Sequence, residues 1–427
     1  MKHLLTGIGL LALGNLAAQP SKTFTELKRY LFTQTEKTAI APSSFLNLYD
    51  KQGLNYLLPL ENSIRLSADK KQNDPEQLIQ ALSFVGDIQT LQSIEKSGYR
   101  SIPDSVMQAI QQLADVARMA SYTDARSYIL NRVSRERVVM INDAYDKPRT
   151  RAFMTSLLQG LYDRGFHTLA MEMLDPHNGS RPLTRLTTVS GFFSNEPMAG
   201  ELIRTAISIG YQVVPYEDTI ARHTVNQREY AQAYNLSQWI NSKDSSSRLL
   251  VYAGFDHIEE GAAADGRIPM AAYFKVITGI DPLTIDQTQM TENSTTADGA
   301  ALYEKWIRLR PPSGPVVPVV QNQAWDPFGL HLYDIHVIHP ATQYIDGRPD
   351  WLSLEGLKKP QAIIPAYRTC FLVQAYYLAE WDKGAPGYWV PADQTYLPAQ
   401  NGLYYLYLQP GKYKISFRDK NYALLGV

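Results

Sequence analysis

Between Arg137 and Gln287 the chain alternates short apolar runs with longer amphipathic ones. The runs "RVVMIND", "TLAMEML", "YQVVPYED", "RLLVYAGFDHI" and "PLTIDQ" read as strands. Between them lie "RTRAFMTSLLQGLYDRG", "EPMAGELIRTAISIG", "VNQREYAQAYNLSQWINS" and "IPMAAYFKVITG", which read as helices. Gly165, Gly210 and Gly279 close three of these, as a helix C-terminus prefers. Strands alternating with helices of this length predict βαβ units: an α/β fold with a largely parallel sheet and helices on both faces.

The flanks read differently. Residues 19–132 form a mainly helical N-terminal region. There "DPEQLIQALSFVGDIQTLQSIEKSG" opens on Asp74-Pro75 and breaks near Gly86 into two short helices. Residues 133–290 form the α/β core. Residues 291–427 hold the proline-rich connector "RPPSGPVVP" and then Tyr- and Pro-rich runs, which predict a β-rich region that extends the main sheet or packs beside it. Within it, Gln409-Pro410-Gly411-Lys412 reads as a turn between two strands.

Lys2 and His3 precede "LLTGIGLLALGNLAA", which exits on Ala17-Ala18, so residues 1–18 read as a secretory signal peptide. The expectation is an exported protein, periplasmic or extracellular, with no transmembrane segment in the mature chain. A formal charge of −1 over 427 residues, with no basic run, gives no electrostatic footprint for nucleic acid. A small-molecule substrate or ligand is the expected partner. Cys370 is the only cysteine, which rules out an internal disulfide or a multi-Cys metal cluster, and it is expected to be a buried inert thiol.

In an open parallel sheet, ligands bind outside the carboxyl ends of the strands. Here those ends carry Asp143, Glu172, Glu217-Asp218 and Asp256-His257. Glu172, flanked by Met171 and Met173 in an apolar run, needs a partner or a raised pKa. His257 follows Gly254, which lets the backbone approach closely. Asp143 and Asp218 also fit the plainer role of helix N-caps. Arg149 and Arg151 open the first helix, and Arg222 and Arg228 follow the third strand. They either clamp an anionic substrate or pair with nearby carboxylates. His331, His336 and His339 cannot share one metal if their segment is a strand, because His331 and His339 would stand about 26 Å apart.

Gly254 to His257, "GFDH", at a strand end, together with Glu172 on the second strand, resembles the erythromycin esterase / ChaN / Tiki superfamily. The resemblance spans about residues 137–287, and the whole chain is similar to exported bacterial members of that group. There the first strand ends in Gly-Glu-x-His or Gly-x-x-His. Here the stretch is Asn142-Asp143-Ala144-Tyr145, so Asp143 stands at the acid's place and Tyr145 replaces the histidine. The resemblance implies three chemistries: water activation by a His base with carboxylate partners, a divalent-metal peptidase, or haem binding. Losing one imidazole weakens a two-His metal centre. A Tyr145 phenolate remains an acceptable iron ligand. The leading expectation is a hydrolase of esters or amides, with His257 as base, Glu172 and Asp143 orienting it, and Tyr145, Glu217 and the arginines binding ligand. The alternatives are a carrier of haem or another small ligand through Tyr145, and a catalytically degenerate binding module.

Overall fold

The computed structural model describes residues 75–427 except 99–101, 179–180, 242–245, 264–265, 293, 295–296, 328, 384–388, 398–401 and 420–422. The expected signal segment, 1–18, lies outside the described residues.

Among the described residues three helices come first: α1 (Pro75–Val85), α2 (Ile88–Gly98) and α3 (Asp104–Asp115). The break between α1 and α2 falls at Gly86, whose φ of +68° suits glycine. A short strand β1 (Ser121–Asp124) and helix α4 (Ala125–Arg132) lead into the core. The core then runs β2 (Val138–Asp143), α5 (Pro148–Tyr162), β3 (Thr168–Met171), α6 (Pro197–Ile209), β4 (Gln212–Pro215), α7 (Val225–Asn241), β5 (Leu249–Gly254), α8 (Met270–Thr278) and β6 (Leu283–Asp286). Gly210 and Gly279 cap α6 and α8 in the left-handed region, as their positions in the sequence imply.

A helix α9 (Ala297–Leu309) follows, and β7 (Val316–Val320) pairs antiparallel with β1 and with β8 (Gln323–Ala324). The two-residue strand β9 (Ile335–His336) joins the main sheet beside β6. That sheet has six parallel strands in the order β4-β3-β5-β2-β6-β9. The C-terminal region therefore does both things expected of it. It lends one strand to the sheet and packs the rest beside it as β10 (Tyr344–Ile345), β11 (Arg348–Pro349), β12 (Lys359–Ile363), β13 (Cys370–Tyr377), β14 (Asp393–Tyr396), β15 (Tyr404–Leu408), β16 (Tyr413–Asp419) and β17 (Leu424–Gly426). Residues 409–412 turn between β15 and β16, but these two pair with β12 and β13 rather than with each other. Cys370 is buried and free.

The pleat divides the core. Val139, Ile141, Leu169, Met171, Leu250 and Tyr252 pack with α5 and α6 on one face. Val138, Met140, Ala170, Val214, Val251 and Ala253 pack with α7 and α8 on the other. Because successive side chains alternate, this parity decides which strand-end groups can meet. The order also sets the site. β5, fourth of the core strands in sequence, sits between β2 and β3, so the loops leaving these three crowd together at their carboxyl ends.

Candidate functional site

Helix α7 begins with a reciprocal cap. Thr224 Oγ1 accepts from Gln227 N (3.3 Å), and Gln227 Oε1 accepts from Thr224 N (2.9 Å). Its start thus fixed, α7 holds Arg228 and Glu229 in its first turn. Arg228 donates from Nε to Glu217 Oε1 (2.9 Å) and from Nη2 to Glu172 Oε1 (2.6 Å) and Glu217 Oε2 (2.5 Å). Gln232, one turn on, donates to both Glu217 oxygens. Glu172 Oε2 accepts from the Gly254 amide, and the Tyr145 hydroxyl interacts with the same carboxylate.

His257 completes the cluster. Its Nδ1 lies 2.8 Å from Glu229 Oε2, which also accepts from Met270 N at 2.8 Å. Its Nε2 stands 3.4 Å from Glu172 Oε1 and 3.2 Å from Arg228 Nη1. These last two neighbours make opposite demands, since the carboxylate favours an N–H there and the guanidinium a lone pair. Burial also opposes a charge on the ring, but Glu172 and Glu229 together raise the imidazole to about 9. Glu172 mirrors this. Burial pushes it up, yet His257, Arg228, the Gly254 amide and Tyr145 hold it at about 2. Glu217 stays above the usual carboxylate range, through burial and the nearby Glu172 charge, despite Arg228.

A histidine raised from 6.5 to about 9 stabilises the fold while it is charged. The contribution, on the order of 3 kcal/mol, is fully present below pH 6.5 and disappears as pH rises through 9. Urea unfolding followed from pH 6 to pH 9.5 should lose that amount, and a His257→Gln variant should lose little over the same range.

The turn from Gly254 to His257 is strained. Phe255 has φ +41°, an unfavourable conformation for an aromatic residue that costs about 1–3 kcal/mol. It is held by its amide on Asp143 O (2.6 Å) and by Asn142 Nδ2 on its carbonyl (3.0 Å). Tyr145 stacks on Phe193 (centroids 4.0 Å, 9° apart) and meets the edge of Phe255. An open pocket lies over Glu172, Glu217 and Tyr145.

The structure brings Glu172, Glu217, Arg228, Tyr145 and His257 together. It does not bring Asp143 to the histidine. Asp143 shares its face with Val139 and Ile141, and its carboxylate accepts from Thr150 Oγ1 (2.5 Å), Arg151 Nε (3.2 Å) and Tyr252 OH (3.2 Å). Arg151 is fully buried and also binds Glu196 (2.8 Å) and the Tyr145 carbonyl (2.9 Å). Arg149 binds Glu292, Thr342 and the Pro340 carbonyl and borders a different pocket. Arg222 is exposed on the turn after β4. Asp218 caps no helix: it accepts from Ile220 N (3.0 Å) within the loop and pairs with His223 (2.6 Å), while Thr224 makes the cap of α7. The expectation of an arginine clamp thus reduces to Arg228, which already faces two carboxylates.

Glu229 was absent from the sequence reading. The Thr-x-x-Gln cap directly before it was the available signal, because it marks the residues of a first helical turn beside a strand end. The three later histidines have separate surroundings. His336 Nδ1 pairs with Asp286 (3.1 Å), His339 with Gln287 (3.2 Å), and His331 is exposed. Only Ile335–His336 of that segment is strand.

No family model matches the chain. No curated protein matches it either. Among solved structures it is similar to the type III effector HopBA1, at 12% identity and TM-score 0.33, covering 52% of this chain and 96% of that one. It is also similar to a structure described as bacterial protein toxins, at 14% identity and TM-score 0.31, covering 52% and 51%. A third is RRSP, a MARTX toxin effector domain from Vibrio vulnificus, at 11% identity and TM-score 0.30, covering 55% of each chain. Scores this low carry no inference about activity.

The implied cofactors fit the residues poorly. Among the described residues no three His, Cys, Asp or Glu side chains stand at metal-binding spacing. Burial and the Glu172 charge lift Tyr145 well above the usual phenol range, so without a bound group it faces the pocket as a neutral phenol against a carboxylate.

Proposed function

We propose that this chain is an exported hydrolase acting on an ester or amide, with His257 as general base. The observation that carries the reading is the His257 ring held between Glu229 at Nδ1 and Glu172 and Arg228 at Nε2, behind the Glu172 wall of an open pocket. Glu229 takes the orienting role that the sequence assigned to Asp143. In the proposed step, neutral His257 accepts a proton at Nε2 from water, and the hydroxide adds to the carbonyl carbon. Arg228 faces the oxyanion that forms. The imidazolium then returns the proton to the leaving oxygen or nitrogen as its bond to carbon breaks. Glu172, firmly ionised, steadies the imidazolium rather than taking a proton itself.

An imidazole raised to about 9 is a strong base that is scarce at neutral pH. For p-nitrophenyl and aminoacyl-anilide substrates, kcat/KM should therefore climb with pH and level off near 9. His257→Gln should remove turnover. Its stability measured at about pH 10.5, well above the value at which the native ring loses its charge, should stay within about 1 kcal/mol of the parent. A rate that falls through pH 9, or a folded variant with full activity, overturns the assignment.

A further inference from the structure

Asn142 is an amide where packing alone would place a hydrocarbon. By alternation it follows Val138 and Met140 on the α7–α8 face of β2, and it is fully buried. A buried amide needs its hydrogen bonds made. Its Nδ2 faces Asp286 Oδ1 (2.7 Å), Thr288 Oγ1 (3.1 Å) and the Phe255 carbonyl (3.0 Å). Its Oδ1 accepts from Gln287 N (2.8 Å). Turning the amide over would set its oxygen against a carboxylate and a carbonyl, so its orientation is fixed.

Asp286 gives this arrangement its grip. It too is fully buried, at the end of β6, and its Oδ2 lies 3.1 Å from Nδ1 of His336 on β9. Burial pushes it up, but His336, Asn142 and the Thr288 amide hold it below the usual carboxylate range. An ionised acceptor makes the stronger hydrogen bond, so Asp286 anchors the amide while it donates to Phe255. The Gln287 side chain closes the frame. It donates to the Asn142 carbonyl (2.7 Å), and its own Oε1 meets His339 (3.2 Å).

The far end of the frame is the strained turn. Phe255 holds φ at +41°, with its amide tied to Asp143 O (2.6 Å) and its carbonyl to Asn142. We infer that Asn142 is a positioning residue: backed by Asp286 and His336, its amide keeps Phe255 in the left-handed conformation that delivers the His257 ring to Glu229 and Glu172. This rests on His257 as the base assigned above and adds what aims it. A relaxed Phe255 would redirect the chain just before His257, and the ring would lose one carboxylate or the other. The strand that the C-terminal region lends to the sheet gains a task, since it carries the histidine behind Asp286.

Titration of the imidazole signals of the full protein by NMR tests the inference without a substrate. The chain has eight histidines, and His257→Gln identifies the signal that matters. In the parent its midpoint should lie at about 9. Asn142→Ala should lower the midpoint by about one pH unit or more, because Glu172 and Glu229 no longer flank the ring. It should also cut kcat by about tenfold or more, with KM within about twofold. Asp286→Asn leaves Asn142 in place but weakens its anchor, and should lower the midpoint by about half a pH unit or more. It serves if Asn142→Ala does not fold. Glycine enters the left-handed region freely. Asn142→Ala made in a Phe255→Gly background should therefore shift the midpoint by less than about half as much as in the parent.

An amide with only a packing role would lower the melting temperature in these variants and leave the His257 midpoint where it was. An unmoved midpoint in Asn142→Ala, or in Asp286→Asn where the first does not fold, overturns the inference. So does an equal shift in the glycine background. A shifted midpoint in a protein that hydrolyses no ester or anilide keeps the positioning role and removes the base. Hydrolysis with an unmoved midpoint does the reverse.

Discussion

Replacing Arg151 by alanine should cost about 3–5 kcal/mol of folding stability, the largest effect expected from any single change in this core. The side chain is fully buried, and its guanidinium joins three acceptors: Asp143, Glu196 and the Tyr145 carbonyl. Removing it strands two carboxylates in an apolar interior, where ionised groups lacking a partner are disfavoured. Glu196 also caps α6, accepting from Met198 N (2.9 Å) and Ala199 N (2.8 Å), so the loss reaches a helix start. Lysine should rescue little, because one ammonium cannot reproduce the planar fork. Urea denaturation decides the matter. A cost under about 1 kcal/mol refutes the account, and adding Asp143→Asn and Glu196→Gln to the alanine variant should recover a good part of the loss.

Gly254→Ala should abolish activity by a different route. A Cβ built there would lie 2.4 Å from the Tyr145 hydroxyl oxygen, 2.7 Å from its Cζ and 3.0 Å from Glu172 Oε2. The phenol would have to leave Glu172, and the carboxylate would have to back away from the Gly254 amide. Both contacts hold Glu172 against His257. We expect turnover to fall by about a hundredfold or more, since small displacements of reacting groups are that expensive. The overpacking should cost only about 1–3 kcal/mol, so the protein remains folded at 25 °C. An alanine variant with near-parental kcat/KM means that the Tyr145–Glu172–Gly254 contact is incidental to the site.

The architecture was legible because strand and helix alternate with clear punctuation. All five core strands and the glycines that end α6 and α8 stand where the pattern put them. β9 lies within the 331–339 segment that the sequence allows as a strand, but only two of its residues pair with the sheet. The site was legible in part. Glu172, Glu217, Arg228 and His257 converge because all sit just past the carboxyl ends of β3, β4 and β5 or in the turn of α7 that faces them. Asp143 was misjudged by ignoring the pleat. Counted from Val139 and Ile141, it belongs to the α5–α6 face, whereas Glu172 follows Ala170 on the opposite one. The same counting was possible beforehand. The arginines could not be sorted that way, because a long side chain reaches whichever carboxylate the tertiary fold brings near. Glu196, Glu292 and Glu217 are 45, 143 and 11 residues from Arg151, Arg149 and Arg228.

Arg348 has a consequence for how the molecule comes apart. Its guanidinium binds the Val85 carbonyl at the end of α1, the Gln394 carbonyl and both oxygens of Asp393 in β14, while Gln394 reaches back to the Phe84 carbonyl. The first described helix and a strand some 300 residues later are thus riveted through one side chain. Gln80 of the same helix also touches the Tyr145 carbonyl. Removing α1 should therefore loosen β14 and slacken the loop that carries Tyr145, and unpairing β14 should free α1 in turn, before the sheet between them opens.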